Sequence, residues 1–161
     1  HSWQSSVSGN DVLYGGAGAD TLYGAAGDDT LDGGTGTDAL AGGPGSDTFV
    51  IRAGDGSTDI ASANVIYDFQ DGTDVISLDG LTYDDLTIAQ GTGDYADHVI
   101  VSYNNEYLLI IQNVTISDIN HYDFVTADTS DQTINGSILD DILLGGNGND
   151  TFLSYAGNDV I

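Results

Sequence analysis

Apolar residues recur along the first third of the chain with a period that fits neither a helix nor an ordinary strand. Leu13, Leu22, Leu31, Leu40 and Phe49 stand nine residues apart, each in the middle of a three-residue run (VLY, TLY, TLD, ALA, TFV) between glycine-rich sextets. The blocks read GGAGADTLY from Gly15, GAAGDDTLD from Gly24, GGTGTDALA from Gly33 and GGPGSDTFV from Gly42, with a worn copy, SVSGNDVLY, before them. Each sextet ends in aspartate and predicts a sharp turn, since glycine takes positive φ and lets backbone carbonyls converge. Each triplet predicts a short strand whose middle side chain points inward. Two turns and two strands make one coil, so the expected fold is all-β, a parallel β-roll with one coil per two repeats. Asp11, Asp29 and Asp47 then line one edge, and Asp20 and Asp38 the other.

From Ile51 the nine-residue register is lost. Alternation of Val65, Tyr67 and Phe69, followed by Val75 and Leu78, predicts two strands joined by a Gln70–Thr73 turn. Further strands are expected at Leu86–Ala89, His98–Tyr103, Tyr107–Val114 and Tyr122–Val125. Asn104-Asn105 supplies a hairpin turn between two of them, and a short helix is expected over Ser117–Ile119. Near the end the pattern returns in GSILDDILL, GGNGNDTFL and SYAGNDVI, which set Asp141, Asp150 and Asp159 in register. DVLYGGAGADTLY and DILLGGNGNDTFL are similar stretches 130 residues apart. The chain thus reads as an N-terminal extension or non-native remnant (1–8), a first roll (9–50), a β-rich cap (51–134) and the start of a second roll (135–161). The last segment either opens a roll of its own or stacks on the first.

Composition sharpens this reading. Of 26 acidic residues only Glu106 is a glutamate, Arg52 is the sole Lys or Arg, and the net charge is −25. A disordered acidic chain would be poor in apolar residues, whereas 40% of this one is hydrophobic. Nothing here neutralises phosphate or docks on an anionic membrane, so neither nucleic acid nor membrane insertion is expected. No cysteine is present, which removes disulfides and thiolate ligands. Carboxylates stacked at the ~5 Å strand spacing repel unless a cation lies between them. A hard divalent cation that accepts carboxylate and carbonyl oxygens is Ca2+. Mg2+ keeps its waters, and Zn2+ would want His, yet His1, His98 and His121 lie outside the repeats.

These blocks resemble the RTX (repeats-in-toxin, haemolysin-type) calcium-binding domain, whose pattern is GGxGxDxUx. The IYDFQDGTDVISL stretch (66–78) likewise resembles the segment that follows RTX repeats and caps the roll. The resemblance implies Ca2+ held between turns two repeats apart, by the aspartates and by preceding carbonyls. Carried over, the ligand positions are Gly9 and Asp11; Gly15, Gly16, Ala17, Gly18 and Asp20; and Gly24, Ala25, Ala26, Gly27 and Asp29. They continue with Gly33, Gly34, Thr35, Gly36 and Asp38, and with Gly43, Gly45 and Asp47. In the returning repeats Asp141, Gly157 and Asp159 would hold one ion. At the junction Asp55 and Asp59 are favoured over Asp68, Asp71 and Asp74 as further ligands, for about three to five ions in all. The resemblance further implies secretion from a bacterium and folding outside the cell, with polysaccharide or tandem copies of the same unit as possible partners.

No enzyme is expected. There is no GxSxG, no HExxH and no lysine. Carboxylate pairs such as Asp28-Asp29 are frequent by chance among so many aspartates. Tyr95, Tyr103 and Tyr107 gather around the expected hairpin, where rings can stack on a sugar, which makes a carbohydrate-binding or adhesive module the alternative function.

Overall fold

The computed structural model describes residues 3–5, 8–126, 133–135 and 151–153. Before the repeats β1 (Trp3–Ser5) pairs with the first sheet, and the nonapeptides then yield three-residue strands: β2 (Val12–Tyr14), β3 (Thr21–Tyr23), β4 (Thr30–Asp32) and β5 (Ala39–Ala41). β6 (Thr48–Arg52) extends the last triplet to five residues. Odd and even strands fall into two parallel sheets. Thr21 pairs with Ala39 on one, and Val12 with Thr30 on the other, so partners lie two repeats apart. Glycine ends each strand before it can lengthen, and the turn carries the chain to the opposite sheet.

The segment after residue 50 continues both sheets instead of forming a separate layer. β7 (Asn64–Ile66) stacks on β5, and β8 (Val75–Asp79) stacks on β6. The first sheet then passes through β11 (Glu106–Ile111) and turns antiparallel with β10 (Val99–Tyr103) and β9 (Thr87–Gln90). β12 (Phe124–Thr126) closes the second sheet beside β8. The β10–β11 turn carries Asn104 and Asn105 at φ 45° and 67°, the left-handed pair that a tight hairpin requires. Separately, β13 (Thr133–Asn135) and β14 (Thr151–Leu153) pair in parallel, again eighteen residues apart.

The apolar alternation marks a strand without giving its inward face, and the expected short helix is corrected. Val65 and Tyr67 do not point inward: the buried residues are Ile66 and Phe69, and Tyr67 is exposed. Residues 65–67 sit where a repeat triplet would, with Ile66 beside Leu40, so Ile66 faces the core and its two neighbours do not; plain alternation picks the opposite face there. Nor is Ser117–Ile119 a helix. The Asp118 carboxylate accepts from the Thr115 N–H and hydroxyl and closes a turn, while a 3-10 turn forms at His121–Asp123 under an Asn120 cap.

Inside the roll the core is a single column: Leu13, Leu22, Leu31, Leu40 and Phe49, all at or below 6% exposure. It widens further on, where Ile66, Ile76, Leu78, Val99, Val101, Leu108, Leu109, Ile111 and Phe124 join it.

Candidate metal centre

The aspartate that ends each turn is buried, although it is the most polar residue of its repeat: Asp20, Asp29, Asp38 and Asp47 are at most 2% exposed. One carboxylate oxygen has an evident task. The backbone N–H of Asp11 donates to Asp29 Oδ1 (2.8 Å), that of Asp20 to Asp38 Oδ1 (2.9 Å) and that of Asp29 to Asp47 Oδ1 (2.9 Å). Each carboxylate therefore clips its coil to the one below. The second oxygen, Oδ2 of Asp29, Asp38 and Asp47, is buried with no hydrogen-bond partner. A buried charged oxygen left so is costly unless a cation meets it.

Glycine supplies the room. A Cβ at Gly33 would stand 2.5 Å from Asp38 Oδ2, and at Gly24 and Gly42 it would collide with Asp29 and Asp47 in the same way. The same atom on Gly24 would lie 2.7 Å from the Gly42 carbonyl, and on Gly15 2.5 Å from that of Gly33. Carboxylate and carbonyl oxygens thus border a space that any side chain would fill. Among the described residues no three His, Cys, Asp or Glu side chains converge, so backbone carbonyls must complete any metal shell. Oxygens alone, one carboxylate per turn, fit Ca2+.

Electrostatics point the same way. Burial pushes the Asp47 carboxyl up to about 6, opposed by the Asp29 N–H and reinforced by the charges of Asp74, Asp29 and Asp68. Burial also raises Asp38, with Asp20 and Asp32 adding to it. Without a cation the ladder resists being charged.

The remaining ligand positions stack in the same register. Gly9 donates to the Ala26 carbonyl (2.7 Å), Gly18 to that of Thr35 (2.8 Å) and Thr35 to that of Gly16 (2.9 Å), and Ala17 bridges Thr35. A Cβ on Gly34, Gly36, Gly43 or Gly45 would strike the carbonyl of Gly16, Gly18, Ala25 or Gly27. Asp141, Gly157 and Asp159 lie outside the described residues.

At the junction two residues that counting by nines overlooks continue the ladder. Asp38 N–H donates to Asn64 Oδ1 (2.8 Å), and Asp47 N–H donates to Asp74 Oδ1 (3.0 Å). Asp68 accepts from the Gly42 and Gly43 N–H groups, at 3.0 and 2.9 Å. The signal was legible: the second residues after Asn64 and Asp74 are Ile66 and Ile76, both buried like the leucines of the repeats. Asp55 and Asp59 are occupied elsewhere. Asp55 is buried against the Arg52 guanidinium (3.2 Å), which also holds Asp32 (2.7 Å) and Asp79 (3.1 Å). Burial still pushes the Asp55 carboxyl up to about 6 against that attraction. Asp59 is exposed and caps a 3-10 turn by accepting from Ala61 N–H.

Against known proteins, the family model for the RTX calcium-binding nonapeptide repeat matches in four copies, at residues 6–40, 14–49, 32–57 and 126–161, together more than half of the chain. The chain belongs to this family. RTX repeats bind Ca2+ and occur in proteins of the secreted type, which agrees with the oxygen-lined turns. The RTX fold extends well past the nonapeptides. The solution structure of the AlgE6R3 subunit of the Azotobacter vinelandii mannuronan C5-epimerase is similar over 77% of each chain, at 25% identity and a TM-score of 0.60. The AlgE6R2 subunit of that epimerase shares the fold over 78% of this chain and 91% of its own, at 24% identity and a TM-score of 0.56. No curated protein matches the chain. Among the described residues no helix is long and apolar enough to cross a membrane.

Proposed function

We propose that this chain is a calcium-gated folding module of a secreted bacterial protein, structural rather than catalytic. The observation that carries the reading is the buried, unpartnered Oδ2 of Asp29, Asp38 and Asp47. With 26 acidic residues against one arginine, the compact state repels itself, and the glycines keep the unfolded chain flexible. A Ca2+ ion between turns removes local repulsion and binds only the folded form. At ~100-fold excess over its Kd each independent site adds ~2.7 kcal/mol, so a few sites equal the ~5–15 kcal/mol of an ordinary domain. About three to five ions are proposed. Asp11, Asp20, Asp29, Asp38 and Asp47 would hold them with carbonyls of the turns they close, and Asp74 with Asp68 extends one edge. The roll would stay unfolded where calcium is scarce, inside the cell, and fold after export.

Circular dichroism titrated with Ca2+ from a chelator-treated start tests this. β signal and a thermal transition should both appear with calcium; if both are complete in chelator, gating fails. A second reading, a carbohydrate-binding module on the same scaffold, is supported by the likeness to subunits of a mannuronan epimerase. Tandem arrangement with further copies is supported by the two similar stretches 130 residues apart.

A further inference from the structure

The outer face of the antiparallel strands bears two clefts that meet at Ser102 and Tyr107, of about 380 and 510 Å3. Both fall within the ~300–1,000 Å3 of small-ligand sites. Their walls hold no charged side chain at all. In a chain with 26 acidic residues and a net charge of −25, an uncharged surface this large is a departure that solubility does not explain.

What lines it is aromatic and amide-rich. Tyr95 and Tyr107 pack on a small apolar cluster, Ala63, Ile100 and Ile110, that is separate from the main core. Both rings are only half-buried, so part of each remains at the cleft wall. Gln90 is locked: its Nε2 donates to the Ala96 and His98 carbonyls and its Oε1 accepts from Ile116 N–H. Ser102 Oγ donates to the Thr87 carbonyl at 3.2 Å. Asn105 lines the second cleft from the hairpin turn.

We infer that this double cleft binds a linear oligosaccharide of neutral pyranoses. A pyranose offers an apolar C–H face to a flat ring and a rim of hydroxyls to amides and hydroxyls, the two chemistries brought together here. The field of the molecule repels uronate or sulfated sugars, and no cation in the walls offsets it. Two adjoining clefts suit several sugar units. This rests on the carbohydrate reading above and adds the place; in the sugar class it departs from the mannuronan, a uronate polymer, named for the similar epimerase subunits.

The test is calorimetry on the full chain in millimolar Ca2+, with neutral gluco- and manno-oligosaccharides and with uronic-acid oligosaccharides as separate probes. Neutral sugars should bind and uronic ones should not. Tyr107→Ala should weaken binding at least about ten-fold. Because Tyr107 also supports the small apolar cluster, Ala89→Arg is the second variant: Ala89 is an exposed strand residue in the first cleft. It should abolish neutral-sugar binding with the calcium-induced dichroism unchanged. Absence of any sugar binding by the folded chain overturns both this site and the carbohydrate reading. Binding untouched by either variant, or confined to uronic acids, overturns the site and sugar class alone.

Discussion

The roll and the segment that follows it share two continuous sheets yet are stabilised by opposite means. Between residues 9 and 50 each nonapeptide gives the interior one side chain, and the rest of the repeat is turn. Between residues 99 and 111, Val99, Ile100 and Val101 are buried in sequence, and so are Leu108 to Ile111. From Leu22 to Phe49 the roll adds a buried acid for every apolar residue of its column; the later strands bury chiefly hydrocarbon. One part therefore requires an ion for its cohesion, and the other carries a core and a local hairpin of its own.

Removing calcium should open the widest gap between the two. Three sites at ~100-fold excess correspond to about 8 kcal/mol, nearly all of it in the roll. Hydrogen exchange in chelator should show β2 to β6 unprotected while β10 and β11 exchange last. Uniform loss would mean that the sheets melt as one unit and would erase the distinction.

Next in size is the clasp that joins the parts. Arg52 reaches from β6 to Asp32 in the roll and to Asp55 and Asp79 beyond it. Arg52→Gln leaves Asp55 buried without its counter-charge, at a cost of about 3 kcal/mol. Urea unfolding in saturating calcium measures it, and the loss should shrink at pH 5, where Asp55 takes up a proton. A loss below about 1 kcal/mol would reduce the clasp to a surface pair.

Acidity should move the buried acids and the exposed, threonine-held ones in contrary directions. In chelator, Asp47 is raised to about 6 from an unfolded value near 3.8, so the folded roll binds the proton more tightly. Its stability should rise as pH falls through 6 and level off below 3.8, by about 3 kcal/mol at most. In calcium the same protonation competes with the ion, and affinity should fall over that window. Asp85 and Asp118 in the later segment are held below the usual range by Thr82 and Thr115. Their contribution is present above pH 3.8 and is lost on further acidification. Parallel titrations of the apo and calcium forms decide it; equal responses would contradict the buried-acid account.

Much of this contrast was legible in the sequence because nine is a rigid count. Leu13 to Phe49 fixed the inward column, and Asp11 to Asp47 the two edges. Past residue 50 the count fails for a physical reason. The chain turns around Arg52 and inserts a 3-10 turn before Asn64, so the step from Asp38 to its partner is 26 residues and from Asp47 is 27. Counting onward leads to Gly56, beside Asp55, which Arg52 claims. The triplet rule, an acid or amide followed two residues later by a buried apolar side chain, survives the insertions where the spacing does not.

Smaller effects separate close stacking from backbone strain alone. Gly43 has φ 100°, and a Cβ there would strike the Ala25 carbonyl, whereas Gly72, at φ 71°, faces open space. Gly43→Ala should cost over about 2 kcal/mol in calcium, and Gly72→Ala about 1, since only the first must push coils apart. Equal costs would show that the coils have slack.

The last test uses a departure the sequence already carries. Ala25 occupies the second glycine position of its repeat and adopts φ 82°, a conformation that strains an alanine. Ala25→Gly relieves ~1–2 kcal/mol of strain but frees the unfolded chain by ~0.5–1 kcal/mol. A net gain of about 0.5–1 kcal/mol should remain. Glycine should thus be preferred to alanine at both 25 and 43, one coil further along the same edge. A loss at Ala25 would mean that its methyl group makes a favourable contact, and the turn would then be held by packing as well as by oxygen and ion.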